Sequence, residues 1–212
     1  MSDDAAIFSL PLLGPVQWYS KWLLHDEIVI DIAGHYVKQT WRNRYRIDGA
    51  NGTQDLSIPV ILPASKSAQR DVRIDMHNRW NLQHWRAIQS AYGKSPYFEF
   101  YADHFARFYT SPLPHRLIDF SIPLLDLSLK LLKWNRSYRL MEVYEPHPEG
   151  KDYRLLIAPK IHHETDSEFL AKPYTQVFSD RFPFRPNLSV IDLLCCTGPS
   201  AGEYIKQSIH TR

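Results

Sequence analysis

Cysteine is almost missing from this chain of 212 residues: Cys195 and Cys196 are its two, and they are adjacent. Neighbouring cysteines cannot join in an ordinary disulfide without strain, so no disulfide framework is implied. With no Cys-x-x-Cys pair, a structural zinc site of that kind is excluded. The glycines, 8 in all, form no Gly-x-x-x-x-Gly-Lys-Ser/Thr loop, no Gly-x-Gly-x-x-Gly fingerprint and no Gly-x-Ser-x-Gly elbow. The usual nucleotide loops and the usual hydrolase nucleophile are therefore absent.

Long apolar runs are missing as well. No stretch of about 18 apolar residues exists, so no membrane span is expected. Met1 to Ala6 carry Asp3 and Asp4 and no basic residue, unlike a secretory signal. Charge of one sign is also lacking: 25 basic against 23 acidic residues leave +2. That balance argues against a nucleic-acid partner held by bulk electrostatics. These absences point to a cytoplasmic, reduced protein. No cofactor motif is evident, and the oligomeric state is left open.

The chain has 44% hydrophobic residues, with 6 Trp, 12 Tyr and 10 Phe. A chain of this length buries roughly 70% of its unfolded surface and needs no staple. The 15 prolines are spread out and mark no linker, so residues 1–212 read as a single domain. Ile7–Leu10 and Glu27–Asp31 read as strands, with a helix over residues 15–24 between them. A right-handed parallel crossover is expected from such a strand–helix–strand unit.

Residues 40–61 read as a hairpin about the Asn51-Gly52 turn, and Val72–Ile74 as a further short strand. Helices are expected over residues 78–92 with Asn78 as cap, over 96–108, and over 115–133, where Pro123 should kink or start the helix. Residues 138–144 and 153–157 look like strands around the turn Pro146–Gly150. Lys160–Lys172 reads as a mobile loop, and Leu188–Leu194 leads into a helical region ending near Ser208. The fold class is α/β, with mixed α+β as the alternative.

Two clusters carry candidate chemistry. The first is His35, Lys38, Gln39, Arg42, Asn43 and Arg44. On a strand, Arg42 and Arg44 share a face, and two planar donor forks suit a carboxylate, phosphate or diphosphate. Lys38 would add a point charge, while Asn43 and Gln39 would position a substrate. The bland alternative is a solvated basic edge strand.

The second cluster begins the 78–92 helix. Trp80 and His84 are neighbours at i, i+4, and Trp85 and Tyr92 share its apolar face; His77 lies two turns from His84. His84 or His35 would move a proton, or His84 is simply a satisfied core histidine. His162-His163-Glu164 cannot easily converge on one ion, so no metal site is expected. Cys195 and Cys196 sit in an apolar stretch, where free thiols are usually inert.

In combination, Lys38–Arg44, Leu56–Val60, Asn81–Ala91 with His84-Trp85 and Tyr92, Pro173–Phe178 and Asn187–Leu194 resemble the WbqC-like protein family over nearly the whole chain. Where an Asn and a Gly commonly follow the last segment, Cys195-Cys196-Thr197-Gly198 stand here. The resemblance implies a bacterial, cytoplasmic protein. It also implies work on an activated sugar or related intermediate of surface-polysaccharide synthesis. The strand–helix–strand opening is similar to nucleotidyl-transferring α/β proteins, although their His-x-Gly-His element is absent. The expectation is a transferase acting on an anionic small molecule, a sugar nucleotide or phosphate. In it His35, His84 and Lys38 would be catalytic, and Gln39, Arg42, Asn43, Arg44, Trp85 and Tyr92 substrate-binding. The alternative is a non-catalytic binding or assembly protein using the same basic, aromatic cleft.

Overall fold

A computed structural model describes residues 4–210. The signal-peptide reading of Met1–Ala6 thus falls partly on residues 1–3, outside the described residues. Strand β1 (Ala5–Ser9) leads through Pro15 into helix α1 (Val16–Trp22), and the chain returns in β2 (Glu27–Asp31). β1 and β2 pair in parallel, Ser9 opposite Asp31, as the strand–helix–strand pattern predicts. Alternation decides the faces. Ala6, Phe8, Ile28 and Ile30 join α1 in the main core, whereas Ala5, Ile7 and Val29 form a small separate cluster with Met141. Ser9 and Asp31 lie on that second face, at the carboxyl ends of their strands.

The expected hairpin forms as β3 (Arg44–Ile47) against β4 (Gln54–Ser57). The expected 40–61 hairpin breaks at Pro59. The proline has no N–H for the ladder, and the chain resumes as β5 (Val60–Ile61), which pairs instead with β6 (Arg73–Ile74). Helices α2 (Trp80–Tyr92), α3 (Phe98–Thr110) and α4 (Ile118–Leu131) follow. Arg79, not Asn78, is the N-cap residue of α2, and no side chain caps it. Pro123 lies inside α4, past its first turn.

The last strands, β7 (Arg139–Met141) and β8 (Lys151–Asp152), do not pair with each other across the Pro146–Gly150 turn. Both join the parallel sheet at opposite edges, in the order β7-β2-β1-β8. Gly150, at φ 97°, lets the chain enter β8 against β1; a Cβ there would run into the Ala5 carbonyl oxygen. Helix α5 (Val190–Thr197) is buried along its whole length among α2, α3, α4 and α6 (Ala201–Gln207).

This strand order positions the site. From β1 the chain steps to β2 and on to β7, then crosses back to lie on the other side of β1 as β8. Such a reversal opens a crevice at the carboxyl ends of the strands, where open α/β sheets place their ligands. Among the described residues, no helix is long and apolar enough to cross a membrane.

Candidate functional site

The loops leaving β1, β2 and β8 meet at that crevice. Ser9, Leu10 and Pro11 line it from β1, Thr40, Trp41 and Arg42 from the loop after β2, and Arg154 and Leu155 from the end of β8. Its throat is narrow, about 30 Å³.

Asp31 organises the floor. Its Oδ1 accepts the backbone N–H groups of Ala33 (2.9 Å) and Gly34 (2.7 Å), bending the chain sharply after β2. Its Oδ2 accepts Arg154 Nη1 at 2.8 Å. The rest of the Arg154 fork reaches Asp152, with Nη2 2.7 Å from Oδ2. Ser9 Oγ donates to the Arg154 carbonyl at 3.1 Å, tying the ends of β1 and β8.

Arg42 is the second buried guanidinium, 7% exposed. Its Nε donates to Gln69 Oε1 (3.1 Å), and Gln69 is fixed in turn through Nε2 to the Leu10 carbonyl (2.8 Å). Its Nη1 donates to Thr40 Oγ1 at 3.3 Å. Among the described residues it forms no salt bridge, unlike Arg154. Burial lowers its pKa, the Asp31 carboxylate and Tyr36 oppose that, and the Arg154 guanidinium adds to it. Tyr36 is buried with its hydroxyl unpartnered. Burial raises the Tyr36 pKa to about 12 against the pull of Arg42 and Arg44. The crevice lining thus holds a buried cation, Arg42, without a carboxylate partner among the described residues.

The sequence-predicted residues divide. Arg42 lines the crevice, but it precedes β3 instead of sharing a strand face with Arg44. Arg44 turns to the hairpin, donating to Ser57 Oγ at 3.1 Å with Asp55 3.5 Å away. The two-arginine arrangement is thereby corrected: Arg42 shares the site with Arg154, which sequence spacing cannot find 112 residues away. Asn43 laces the hairpin, its Nδ2 donating to the Ile58 carbonyl at 2.8 Å, while its Oδ1 is buried without a partner. His35 is exposed and does not line the crevice; its ring lies 5.8 Å from that of Tyr144. Lys38 and Gln39 are exposed, Gln39 with φ 59° in the left-handed region.

The second cluster lies elsewhere. His84 is buried, its Nδ1 3.2 Å from the Tyr45 hydroxyl, which also meets the Tyr109 hydroxyl at 3.1 Å. Burial lowers its pKa to about 4, against a hydrogen bond with the Ser57 backbone. Trp85 stacks on Phe98 and Tyr109. The Tyr92 hydroxyl accepts the Asp48 N–H at 3.2 Å within the core. His77 is exposed and pairs with Asp75. Neither His84, Trp85 nor Tyr92 lines the crevice; here the core-histidine alternative describes what is seen. Cys195 and Cys196 are buried free thiols whose pKa values burial pushes far up. Among the described residues, no group of three or more His, Cys, Asp or Glu is placed to hold a metal.

Sequence reasoning also missed a polar cluster beside the crevice. Lys21 is wholly buried on α1, with Nζ 2.7 Å from Asp166 Oδ2 and 3.2 Å from Glu168 Oε2. Gln17 Nε2 holds the same Asp166 carboxylate at 2.8 Å, and the Tyr153 hydroxyl donates to Glu168 at 3.2 Å. These bonds anchor Asp166 and Glu168, within the Lys160–Lys172 segment, to α1 and Tyr153. They wall a cavity of about 230 Å³, separated from the crevice by Tyr153 and Ile157, which line both.

The family model described as WbqC-like protein family matches residues 11–168. The chain belongs to the WbqC-like protein family. Asp31, Arg42, Tyr144 and Arg154 lie within the matched stretch, whereas the Pro173–Leu194 segments lie beyond it. The chain is 26% identical over 207 residues to the uncharacterized protein Rv1507c of Mycobacterium tuberculosis, covering 85% of this WbqC-like chain and 88% of that protein. No solved structure matches the chain.

Proposed function

We propose that this protein is a transferase that binds a phosphorylated or nucleotide-linked small molecule, such as a sugar intermediate of surface-polysaccharide synthesis, in the crevice at the carboxyl ends of β1 and β8. One observation carries the reading. Arg42 is a buried guanidinium at the crevice without a salt-bridge partner among the described residues. A buried charge of that kind is costly unless an anion completes it. Phosphoryl-type transfer asks a protein mainly for positioning and charge stabilisation, and Arg42 is the lining cation placed to supply it. Activated sugars are used in the cytoplasm, and the reading places the protein there.

A second reading, a non-catalytic binding protein with the same ligand, is favoured by the histidines. His35 is exposed outside the lining and His84 lies in the aromatic core, so neither imidazole enters the throat. The test is titration calorimetry with pyrophosphate, sugar phosphates and nucleotide sugars. Arg42→Met is expected to weaken binding roughly 10- to 100-fold, as for loss of charge-assisted hydrogen bonds. Arg42→Lys should keep the charge but lose the fork. Binding of none of these ligands, or equal binding by a folded Arg42→Met variant, sinks the proposal. Release of free phosphate or nucleotide on incubation with candidate acceptors separates the transferase from the binder.

A further inference from the structure

We infer that the ligand of the crevice is a nucleoside diphosphate or its conjugate, with a diphosphate oxygen at Arg42 and the base stacked on Tyr144. This rests on the anion-binding reading above and adds the class of the remaining part of the ligand. A throat of about 30 Å³ holds a few atoms but not a ring. Whatever is attached to the anion must lie outside the throat, where the lining residue Leu155 is exposed and the Tyr144 ring packs on the lining residue Arg154. Tyr144, in the loop after β7, is 47% exposed, and Leu155, which lines the crevice, is 69% exposed.

Tyr144 is held for stacking. The Arg154 guanidinium lies over its ring, 5.4 Å from the centroid, and the His35 ring flanks it. Arg154 is itself locked between Asp31 and Asp152, so the ring rests on a rigid support. Arg70, from the segment facing this loop, donates to the Glu142 carbonyl two residues before Tyr144. An aromatic plate beside a buried cation matches a molecule with a flat π-face and an anionic tail.

The experiment is calorimetry on the full chain with uridine diphosphate, adenosine diphosphate, ribose 5-phosphate and pyrophosphate. Stacking on an aromatic side chain predicts that the nucleoside diphosphates bind roughly 10-fold more tightly than pyrophosphate. Tyr144→Ala should remove that preference and leave pyrophosphate affinity unchanged, while Tyr144→Phe should retain it. Tyr144 is half exposed, so both variants are expected to fold. Pyrophosphate binding without a preference for nucleoside diphosphates overturns this inference and leaves the anion site standing. Equal loss of both ligands in Tyr144→Ala also overturns it, since the residue would then act only through Arg154. Binding of neither class overturns the anion site and this inference together.

Discussion

Arg154 and Asp31, 123 residues apart, meet at 2.8 Å across the carboxyl ends of the sheet, with 7% and 3% of their side chains exposed. Removing one partner of such a pair leaves a buried charge uncompensated. Arg154→Met is expected to cost about 3–5 kcal/mol. The Asp31→Asn, Arg154→Met double variant should recover part of that loss, because the orphaned charge is gone. Urea denaturation of the single and double variants measures both. A single variant within about 0.5 kcal/mol of wild type would show the pair to be dispensable.

His84 sets an acid-side limit. Burial lowers its folded pKa to about 4, whereas an unfolded histidine titrates near 6.5. Between those values the unfolded chain binds the extra proton, so stability is full above about pH 6.5 and falls as pH drops toward 4. The loss is about 3 kcal/mol. His84→Gln, which does not titrate, should flatten this part of the stability profile. An unchanged slope between pH 6.5 and 4 would assign it to other groups.

Asp192 works in the opposite sense. It is fully buried on α5, accepts the Tyr174 hydroxyl at 2.6 Å and Gln176 Nε2 at 3.1 Å, and leaves Oδ1 unpartnered. Burial raises its pKa to about 6; its hydrogen bonds oppose that rise and nearby Asp48 adds to it. The folded pKa lies above the unfolded value near 3.9, so this stability is present below about pH 3.9 and lost as pH rises through 6. Asp192→Asn is therefore expected to raise the melting temperature at pH 8 and to change it little at pH 4. Destabilisation of equal size at both pH values would show that packing dominates.

Lys21 pins a loop to α1. Replacing it with Met removes the cation that holds Asp166 and Glu168. Amide exchange should quicken over residues 163–169 while β1 and β2 keep their protection. Burial works to raise the Asp166 pKa, but the Lys21 and Gln17 contacts outweigh it and the net shift is downward. Wild type should therefore lose this stability as pH falls below about 4, through the depressed folded value. The Lys21→Met variant should lack that acid-side loss, and identical exchange in both proteins would refute the pinning.

The local elements were legible because their causes are local. Short continuous apolar runs mark β1 and β2, period-3.6 faces mark α2 and α3, and Asn51-Gly52 marks the hairpin turn. Of the crevice lining, Arg42 belongs to the cluster marked in the sequence, whereas His35 stands outside the lining. Arg42 and Arg44 were paired because strand periodicity was extended one step too far, past the true start of β3 at Arg44.

What the sequence by itself determined is the α/β class, the parallel β1–α1–β2 unit and the basic stretch that contains Arg42. Tertiary structure alone decided that β7 and β8 lie on opposite edges of the sheet, and so where the crevice opens. It also decided which charges face one another. Arg154 with Asp31, and Lys21 with Asp166, are pairs chosen by strand order and burial. Each joins residues more than 100 positions apart, where no local spacing carries the information. Asp31 looked like the end of a strand, Arg154 one base among many. Only the parallel register, which sets Ser9 beside Asp31 and brings β8 against β1, turns them into the floor of a site.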